Sequence, residues 1–262
     1  MKKLLGAALI AVFLAAGPPA SPLAQPPASE AAGVREIIYG VDPHFPPYTF
    51  SRNGVPTGFE VELLQAMLQG VGVKLTVRFM QWEAMLQALA RGDIHVVSGV
   101  AKTPERAGRY AFSERPSSSD AIRIFIMDAR DIRTLNGLNG KRVSVQRGVF
   151  FADQLAQLAE IDLQVFDTDV DALKALAYRK VDAYVGNAKP AHYNMKMLGL
   201  KKYRGYDIRG IDPPLFTTDS YFALPKDDRA LLDAIDQGYQ RVLQDGTYGK
   251  LFQKWFVLEK YF

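Results

Sequence analysis

Short apolar runs alternate along the chain with segments in which apolar residues recur every three or four positions. From Glu36 onward, the short runs predict β-strands and the periodic segments predict amphipathic helices. The predicted strands span residues 37–41, 75–79, 94–98, 141–145, 163–166, 181–186 and 220–225. Strands that alternate with helices over short loops favour an α/β protein with largely parallel sheets.

Helix boundary signals agree with this alternation. Thr57 and Glu60 have the spacing of a capping box and open a helix that Gly70 ends. Asp169 is a suitable cap for the helix predicted over 171–179. The other predicted helices are 82–90, 150–159, one that starts at Thr103, one that starts at Asn187, and two near the C terminus. The order of strands and helices restarts near residue 141, which predicts two similar lobes.

The first 33 residues have the pattern of an export signal. Lys2 and Lys3 precede an apolar run from Leu4 to Gly17, and a Pro/Ala-rich stretch continues to Gly33. The apolar run is shorter than an ordinary transmembrane helix, although an uncleaved anchor is the alternative. The chain has no cysteine, which excludes a lipid-modified cysteine anchor and structural disulfides. We therefore expect a periplasmic protein that is not anchored to the membrane.

Composition and charge constrain the partner only weakly. Hydrophobic residues make up 48% of the 262 residues and charged residues 23%, as in ordinary globular proteins. The formal net charge is +4, and basic residues such as Lys201, Lys202 and Arg204 are not interleaved with stacking aromatic residues. A solvated basic surface is therefore expected rather than nucleic-acid binding.

One arginine conflicts with its predicted local structure. Thr103 followed by Pro104 predicts a helix start, which places Arg106 in the first helical turn. The helix dipole is positive at this end, so a cation there is mildly unfavourable. Arg106 is either a surface residue whose stem covers apolar atoms, or part of an anion site that also uses free N–H groups of the helix.

Two aromatic residues follow the ends of predicted strands. Phe45 lies in the segment FPPY, where two prolines stiffen the loop after strand 37–41, and Trp82 follows strand 75–79. A structural role in the loop or in the core is the default for both. The alternative is a ligand slot with these two walls, because open α/β sheets bind ligands beyond the carboxyl ends of their strands.

Seven segments, taken in order, resemble one known family. They are VDPHFPPYTF, GFEVELLQAM, QWEAMLQALARGDIHVVSG, TPERAGRYAFS, LNGKRVSVQRG, VDAYVGN and DGTYGKLFQKWF. The chain resembles the bacterial extracellular solute-binding proteins of family 3, which serve polar amino-acid ABC transporters, and the related Venus-flytrap sensor domains. The resemblance implies a periplasmic-binding-protein-like fold of type II, in which each of two lobes is a mostly parallel sheet flanked by helices. Lobe 1 is expected to comprise residues 34–120 plus 217–262, and lobe 2 residues 121–216.

The resemblance also implies roles for particular positions. Arg106 is expected to clamp the carboxylate of the ligand, aided by backbone amides of the segment 98–101. That segment contributes Ser98, Gly99 and Ala101 to the expected site. Phe45 and Trp82 are expected to hold the side chain of the ligand between them. The second lobe is expected to contribute Gln146, Val149, Phe150 and Asn187.

Three departures from the family pattern alter the expected ligand. Ala101 stands where a serine or threonine hydroxyl is common, and Val149–Phe150 replaces a pair that usually donates to the carboxylate. Asn187 stands where amino-acid binders usually have an aspartate for the α-ammonium, and an amide makes a weaker bond than a charged group. Asp42 is the reserve candidate for meeting an ammonium group. We expect an apolar or aromatic amino acid, or a similar organic acid without the amine.

Three functions are compatible with such a flytrap. The protein delivers a small carboxylate to an ABC transporter permease, senses the ligand in signalling, or acts as a small periplasmic lyase. A lyase needs an acid or base in the cleft, and of His44, His95 and His192 only His44 is adjacent to a slot residue. The sequence has no phosphate loop, nucleophile elbow or metal-ligand spacing. We expect a monomeric binding protein without cofactor or metal, rather than an enzyme.

Overall fold

Residues 35–127, 132–157, 160–200, 202–203 and 206–258 are described by the structure, which is a computed structural model. The predicted export signal and Pro/Ala-rich segment, residues 1–33, lie outside these described residues. Within the described ranges, no helix combines the length and the apolar character needed to cross a lipid bilayer.

Strands and short helices alternate along the described chain. The strands are β1 (Arg35–Val41), β2 (His44–Phe45), β3 (Thr49–Arg52), β4 (Val55–Thr57), β5 (Val73–Phe79), β6 (Val96–Ala101), β7 (Tyr110–Phe112), β8 (Ser118–Met127), β9 (Arg142–Gln146), β10 (Asp162–Phe166), β11 (Ala183–Asn187), β12 (Lys202–Tyr203), β13 (Tyr206–Gly210) and β14 (Phe216–Pro225). The helices are α1 (Phe59–Met67), α2 (Trp82–Arg91), α3 (Pro104–Arg109), α4 (Ala152–Ala156), α5 (Asp169–Ala177), α6 (Ala188–Met197), α7 (Arg229–Gln244) and α8 (Thr247–Phe252). A 3₁₀ turn covers Leu135–Leu138, and a π-helical turn covers Gln253–Leu258.

The first lobe is built on β1, which pairs in parallel with β5 on one side and β6 on the other. Alternate side chains of β1 enter different cores, as expected for a strand covered on both faces. Ile37 and Tyr39 are buried against α1 and α7, whereas Ile38 packs towards α2. This double burial explains why the sequence of β1 is an apolar run without alternation.

The second lobe repeats the arrangement around β9, which pairs in parallel with β10 and β11. Val143 and Val145 are buried with Phe151 and Leu155 from the segment that contains α4. On the other face, Tyr184 of β11 packs with residues of α5 and α6. The two-lobed α/β architecture predicted from the repeated strand and helix order is therefore confirmed.

Two ten-residue strands, β8 and β14, connect the lobes and join their sheets into one. They pair antiparallel with each other, from Phe216 opposite Ile122 to Ser220 opposite Ser118. β8 also pairs antiparallel with β11, and β14 with β6, so the main sheet runs in the order β10-β9-β11-β8-β14-β6-β1-β5. The pairs formed by β1 and by β9 with β5, β6, β10 and β11 are parallel, whereas the pairs of the crossing strands are antiparallel. Strands β2, β3 and β4 form a separate antiparallel sheet in the first lobe. The lobe boundaries themselves, 34–120 plus 217–262 and 121–216, stay a prediction.

Two predicted helix caps are wrong. α1 begins after Gly58, and Thr57 makes no capping bond because Gly58 occupies the cap position. The carboxylate of Glu60 points instead to the hydroxyls of Ser117 and Ser118. At α5 the cap is Thr168, whose hydroxyl accepts the N–H of Asp171, and Asp169 is the first helical residue. The helix predicted over 150–159 is shorter, since α4 spans Ala152–Ala156.

Helices α1 and α7 are packed unusually close at Gly238. A Cβ at this position would overlap the carbonyl oxygen of Met67 and lie 2.8 Å from its carbonyl carbon. The guanidinium of Arg241 donates to the carbonyls of Ala66 and Met67 at 2.8 and 2.9 Å. The C-terminal carbonyls of α1 are thus satisfied by a cation of α7, which also complements the helix dipole.

We predict that Gly238→Ala lowers the free energy of unfolding by about 1–3 kcal/mol, because the added methyl group meets backbone that cannot move aside easily. Gly249→Ala is the matched control, since Gly249 is also helical and a Cβ there would have no neighbour within 4 Å. Gly249→Ala should raise stability by about 0.5–1 kcal/mol through helix propensity. Urea unfolding followed by circular dichroism measures both, and equal effects of the two substitutions would contradict the close packing.

Candidate functional site

A cavity lies between the two lobes, where β1, β9 and β11 end. This is the position in which open α/β sheets bind their ligands. All eleven residues predicted for the site line it: Asp42, Phe45, Trp82, Ser98, Gly99, Ala101, Arg106, Gln146, Val149, Phe150 and Asn187. The structure therefore brings together residues that lie as far apart in the chain as Asp42 and Asn187.

Strand β6 supplies the floor of the cavity. The predicted strand 94–98 is displaced, because β6 spans Val96–Ala101 and carries Ser98, Gly99 and Ala101 within the strand itself. His95 precedes β6, and its Nδ1 accepts the backbone N–H of Ile38 at 3.0 Å. Gly99 has a φ of 74°, a left-handed conformation that glycine adopts at little cost.

Arg106 is placed by the helix start that the sequence predicts. Thr103 caps α3 with its hydroxyl, which accepts the backbone N–H of Arg106 at 3.2 Å, and Pro104 is the first helical residue. The side chain then turns inward, and the residue is only 8% exposed. This burial excludes the interpretation of Arg106 as a surface arginine.

The guanidinium of Arg106 donates its hydrogen bonds to neutral carbonyl groups. Its Nη1 donates to the carbonyl of Ala101 at 3.4 Å and its Nη2 to the carbonyl of Gly148 at 2.7 Å. Its charge also lies 5.8 Å from the centre of the Trp82 ring. Burial lowers the pKa of Arg106, and the charges of Glu105 and Glu83 act in the opposite direction. No carboxylate in the described ranges forms an ion pair with this guanidinium, and a buried cation without a direct counter-ion is costly.

Phe45 and Trp82 stand at the cavity as two partly buried aromatic walls. Phe45 is held from behind by stacking on Tyr48, with ring centres 5.5 Å apart. Trp82, the first residue of α2, donates its indole N–H to the carbonyl of Gly148 at 3.0 Å. Both rings are fixed in place by contacts outside the cavity, which leaves their inner faces available to an apolar group.

The second lobe lines its side of the cavity with neutral groups. Gln146 ends β9, and Val149 and Phe150 follow the Gly148 turn, where the ring of Phe150 packs on Phe151 at 5.4 Å. Asn187 ends β11 and occupies the cap position of α6, yet its side chain makes no capping bond. This side of the cavity therefore offers amides and hydrocarbon but no charge.

Asp42 is the carboxylate among the lining residues. Its Oδ1 accepts the backbone N–H of His44 at 2.8 Å, and its Oδ2 accepts an amide N–H of Gln146 at 3.2 Å. The second bond crosses from one lobe to the other, as do the bonds of Trp82 and Arg106 to Gly148. The cavity thus holds one cation and one carboxylate, and polar bonds across it keep the lobes in contact.

Sequence reasoning missed part of the lining. Ile122, Thr218 and Ser220 come from the crossing strands. Ile122 lies in the apolar run of β8, which was not predicted as a strand, and Ser220 opens the predicted strand 220–225 without any signal that it lines a site. The other unpredicted lining residues are Gly40, Val41, Thr49, Met85 and Phe151. Thr49 and Phe151 lie next to segments that were singled out, whereas Met85 is a buried residue of α2.

Among the residues that the structure describes, the three histidines lie outside the cavity lining. His44 does not line the cavity, and half of its side chain is exposed. His192 bonds the carbonyl of Ala188 within its own helix. No group of three or more His, Cys, Asp or Glu residues in the described ranges is placed to hold a metal ion.

Comparison with known proteins identifies relatives of this chain. The model of the bacterial extracellular solute-binding proteins, family 3, matches residues 37–258. The L-cystine-binding protein TcyJ of Escherichia coli is 28% identical over 225 residues, 84% of this chain and 82% of the relative. ABC transporter arginine-binding protein 1 of Escherichia coli is 25% identical over 262 residues, 98% of this chain and 99% of the relative.

Solved structures show the same fold. A histidine kinase sensor domain with similarity to periplasmic binding proteins superposes with a TM-score of 0.79 and 26% identity, and the match covers 86% of this chain and 97% of that domain. An ancestral arginine-binding protein bound to arginine gives a TM-score of 0.77 and 27% identity, with 86% and 99% of the two chains covered. The prediction of a binding protein rather than an enzyme agrees with these relatives.

We predict that Gly148→Leu prevents the lobes from meeting. The Cβ would overlap the carboxylate of Glu83 and lie 3.2 Å from the Trp82 ring, so the larger side chain must push the lobes apart. Gly140→Leu is the matched control, because its φ of 71° is close to the 77° of Gly148 but nothing lies within 4 Å of its Cβ position. Small-angle X-ray scattering should give a larger radius of gyration for Gly148→Leu alone, and equal radii would contradict the contact.

Proposed function

The chain belongs to the bacterial extracellular solute-binding proteins of family 3, and on that basis we propose that it captures a small carboxylate ligand by lobe closure. The ligand enters between the lobes and stabilises the closed form by contacts with both, which is a hinge motion driven by differential binding. The closed protein then delivers the ligand to the permease of an ABC transporter in the inner membrane. The named relatives TcyJ and arginine-binding protein 1 support a role of this kind.

The observation that carries the proposal is the buried guanidinium of Arg106. It faces the cavity with backbone carbonyls as its neighbours and without a carboxylate partner in the described ranges. A carboxylate of the ligand replaces the single carbonyl of Gly148 with a bidentate ion pair, in which two parallel N–H···O bonds join opposite charges. Backbone groups of Gly99 and Ala101 complete this anion-binding end.

The rest of the cavity supports an apolar or aromatic ligand. Phe45 and Trp82 form walls for a flat or hydrocarbon group, and Val149 with Phe150 adds apolar surface from the second lobe. Asn187 offers no charge to an α-ammonium group, so we infer that the site binds the amine of a ligand only weakly. An apolar or aromatic amino acid fits if Asp42 receives the amine, and an organic acid without the amine fits without that contact.

The location and partners follow from the same proposal. Residues 1–33 direct export, and in the absence of a cysteine for lipid attachment the mature protein moves freely in the periplasm as a monomer. Lobe 1, residues 34–120 plus 217–262, and lobe 2, residues 121–216, close as rigid units about the crossing strands. Neither a cofactor nor a nucleic acid takes part in this cycle.

A sensing role is the second candidate function. It is supported by the similarity to a histidine kinase sensor domain, whose TM-score of 0.79 exceeds the 0.77 of the ancestral arginine-binding protein. A sensor and a transport protein need the same closing cleft, so the proposed ligand site is common to both. Loss of uptake in a strain that lacks this chain supports transport, whereas unchanged uptake with a changed transcriptional response supports sensing.

We predict that Arg106→Ala abolishes the rise in melting temperature that carboxylate ligands cause in the native protein. Differential scanning fluorimetry with a panel of amino acids and organic acids measures this rise. Arg109→Ala is the matched control, because Arg109 lies on the same helix but is 64% exposed and pairs with Glu105. A ligand that stabilises Arg106→Ala as much as the native protein would refute the carboxylate clamp.

We also predict that Asn187→Asp improves the binding of α-amino acids relative to their deaminated analogues. A carboxylate at this position adds a charge-assisted bond to the ammonium, and about 1.4 kcal/mol corresponds to a tenfold gain in affinity. Isothermal titration with phenylalanine and 3-phenylpropionate, for native and variant protein, compares the two classes. If the ratio of affinities is the same in both proteins, Asn187 does not face the amine.

A further inference from the structure

The edge of the cleft contains ionisable groups that the proposed ligand site does not use. There, β2 of the first lobe faces α5 of the second. The imidazole of His44 lies with its Nδ1 3.7 Å from Oδ1 of Asp42, and its backbone carbonyl accepts an amide N–H of Asn194 at 3.3 Å. Asp171 and Lys174 of α5 lie close enough to act on the charge of this imidazole.

Asp169, the first residue of α5, has a buried carboxyl group of which one oxygen makes no hydrogen bond within the described residues. The hydroxyl of Tyr184 donates to its Oδ1, whereas its Oδ2 has no hydrogen-bond partner among the residues described. Asp42 of the first lobe and Asp120 of β8 are its acidic neighbours. Asp120 is itself paired with the ammonium of Lys189 at 3.3 Å, so little positive charge is left to offset Asp169.

We propose that closing of the cleft takes up protons at this junction of β2 and α5, so that acidic conditions favour the closed form. The inference rests on the lobe closure of the proposed function but not on the identity of the ligand. Closing brings Asp42 of the first lobe towards Asp169 of the second, and two ionised carboxyl groups repel each other. Closing also brings His44 towards Asp171, which attracts the protonated imidazole.

The charges around His44 determine whether closing favours the binding or the release of the first proton. The hydrogen bond with Asp42 raises the pKa of His44, burial opposes this rise, the charges of Asp42 and Asp171 add to it, and Lys174 reduces it. Of these groups, Asp171 and Lys174 belong to the opposite lobe. The charge of Asp171 acts on the imidazole more strongly than that of Lys174, so the charges of the opposite lobe together favour the protonated imidazole.

The surroundings of Asp169 favour the binding of a second proton when the cleft closes. Burial raises the pKa of Asp169 to about 7, the bond from Tyr184 opposes this rise, and Asp42 and Asp120 add to it. Separation of the lobes removes Asp42 and lowers the pKa. Both groups therefore bind protons more strongly in the closed form, and the ratio of closed to open protein falls as pH rises through their titration range.

The experiment follows the ligand-free protein between pH 5 and pH 9. The radius of gyration from small-angle X-ray scattering and the emission of Trp82, isolated by Trp255→Phe, both report closure, since Trp82 contacts the second lobe at Gly148. We expect a larger radius and red-shifted emission as pH rises. The closed-to-open ratio changes by up to about tenfold per pH unit for each linked proton. A radius that does not change with pH overturns the proposal.

Variants assign the effect to this junction. The double variant His44→Gln with Asp169→Asn should lose the pH dependence, while His192→Gln, which changes an exposed histidine on α6, should keep it. If circular dichroism shows that the double variant is not folded, Asp171→Asn changes an exposed residue and should weaken the pH dependence by itself. Undiminished pH dependence in the folded variants overturns the proposal. A failed ligand screen beside intact pH-dependent closure contradicts only the proposed function.

Discussion

A single buried carboxylate, Glu60, fixes the geometry on which the cleft depends. It stands in the first turn of α1, and its Oε1 accepts the hydroxyls of Ser117 and Ser118 at 2.7 and 2.8 Å, where β8 begins. Ser117 in turn donates its backbone N–H to Ser220 of β14 at 2.7 Å. One carboxylate therefore ties α1 to the start of β8 and, through Ser117, to the middle of β14. Burial raises the pKa of Glu60, and the hydrogen bonds from the serine hydroxyls lower it. The contact is therefore desolvated and sensitive to the loss of a hydrogen bond.

The cleft, in contrast, is organised around a cation, the guanidinium of Arg106. Arg106 is brought inward by a threonine cap and a short helix, and its guanidinium donates to the carbonyl of Gly148 on the second lobe. A carbonyl dipole compensates a guanidinium only in part. In the function proposed above, a carboxylate of the ligand takes the place of this carbonyl.

Neutral groups on the second lobe separate this chain from amino-acid binders with a charged amine site. Gln146 and Asn187 supply amides, and Val149 and Phe150 supply hydrocarbon. The charge that remains is Asp42, on the same lobe as Arg106 and already bonded to Gln146. The second lobe therefore lines the cavity with shape and apolar surface rather than charge, and in the proposed function Asp42 must release its amide partner to bind an amine.

Much of the protein could be predicted without coordinates: the alternation of strands and helices, the two repeated lobes, the Thr103–Pro104 helix start and eleven of the nineteen residues that line the cavity. The strands and the helix start follow from periodicity and capping, which act over a few residues, whereas the cavity residues follow from the resemblance of seven ordered segments to a family. The crossing strand β8 was missed, because it opens with serines and an aspartate before its apolar run. The partners of Glu60 and the place of Ile122, Thr218 and Ser220 emerged in the same way, because those contacts join residues about 60 to 100 positions apart. Long-range pairing leaves no periodic trace in the sequence, and for that reason the hinge is a property of the tertiary structure alone.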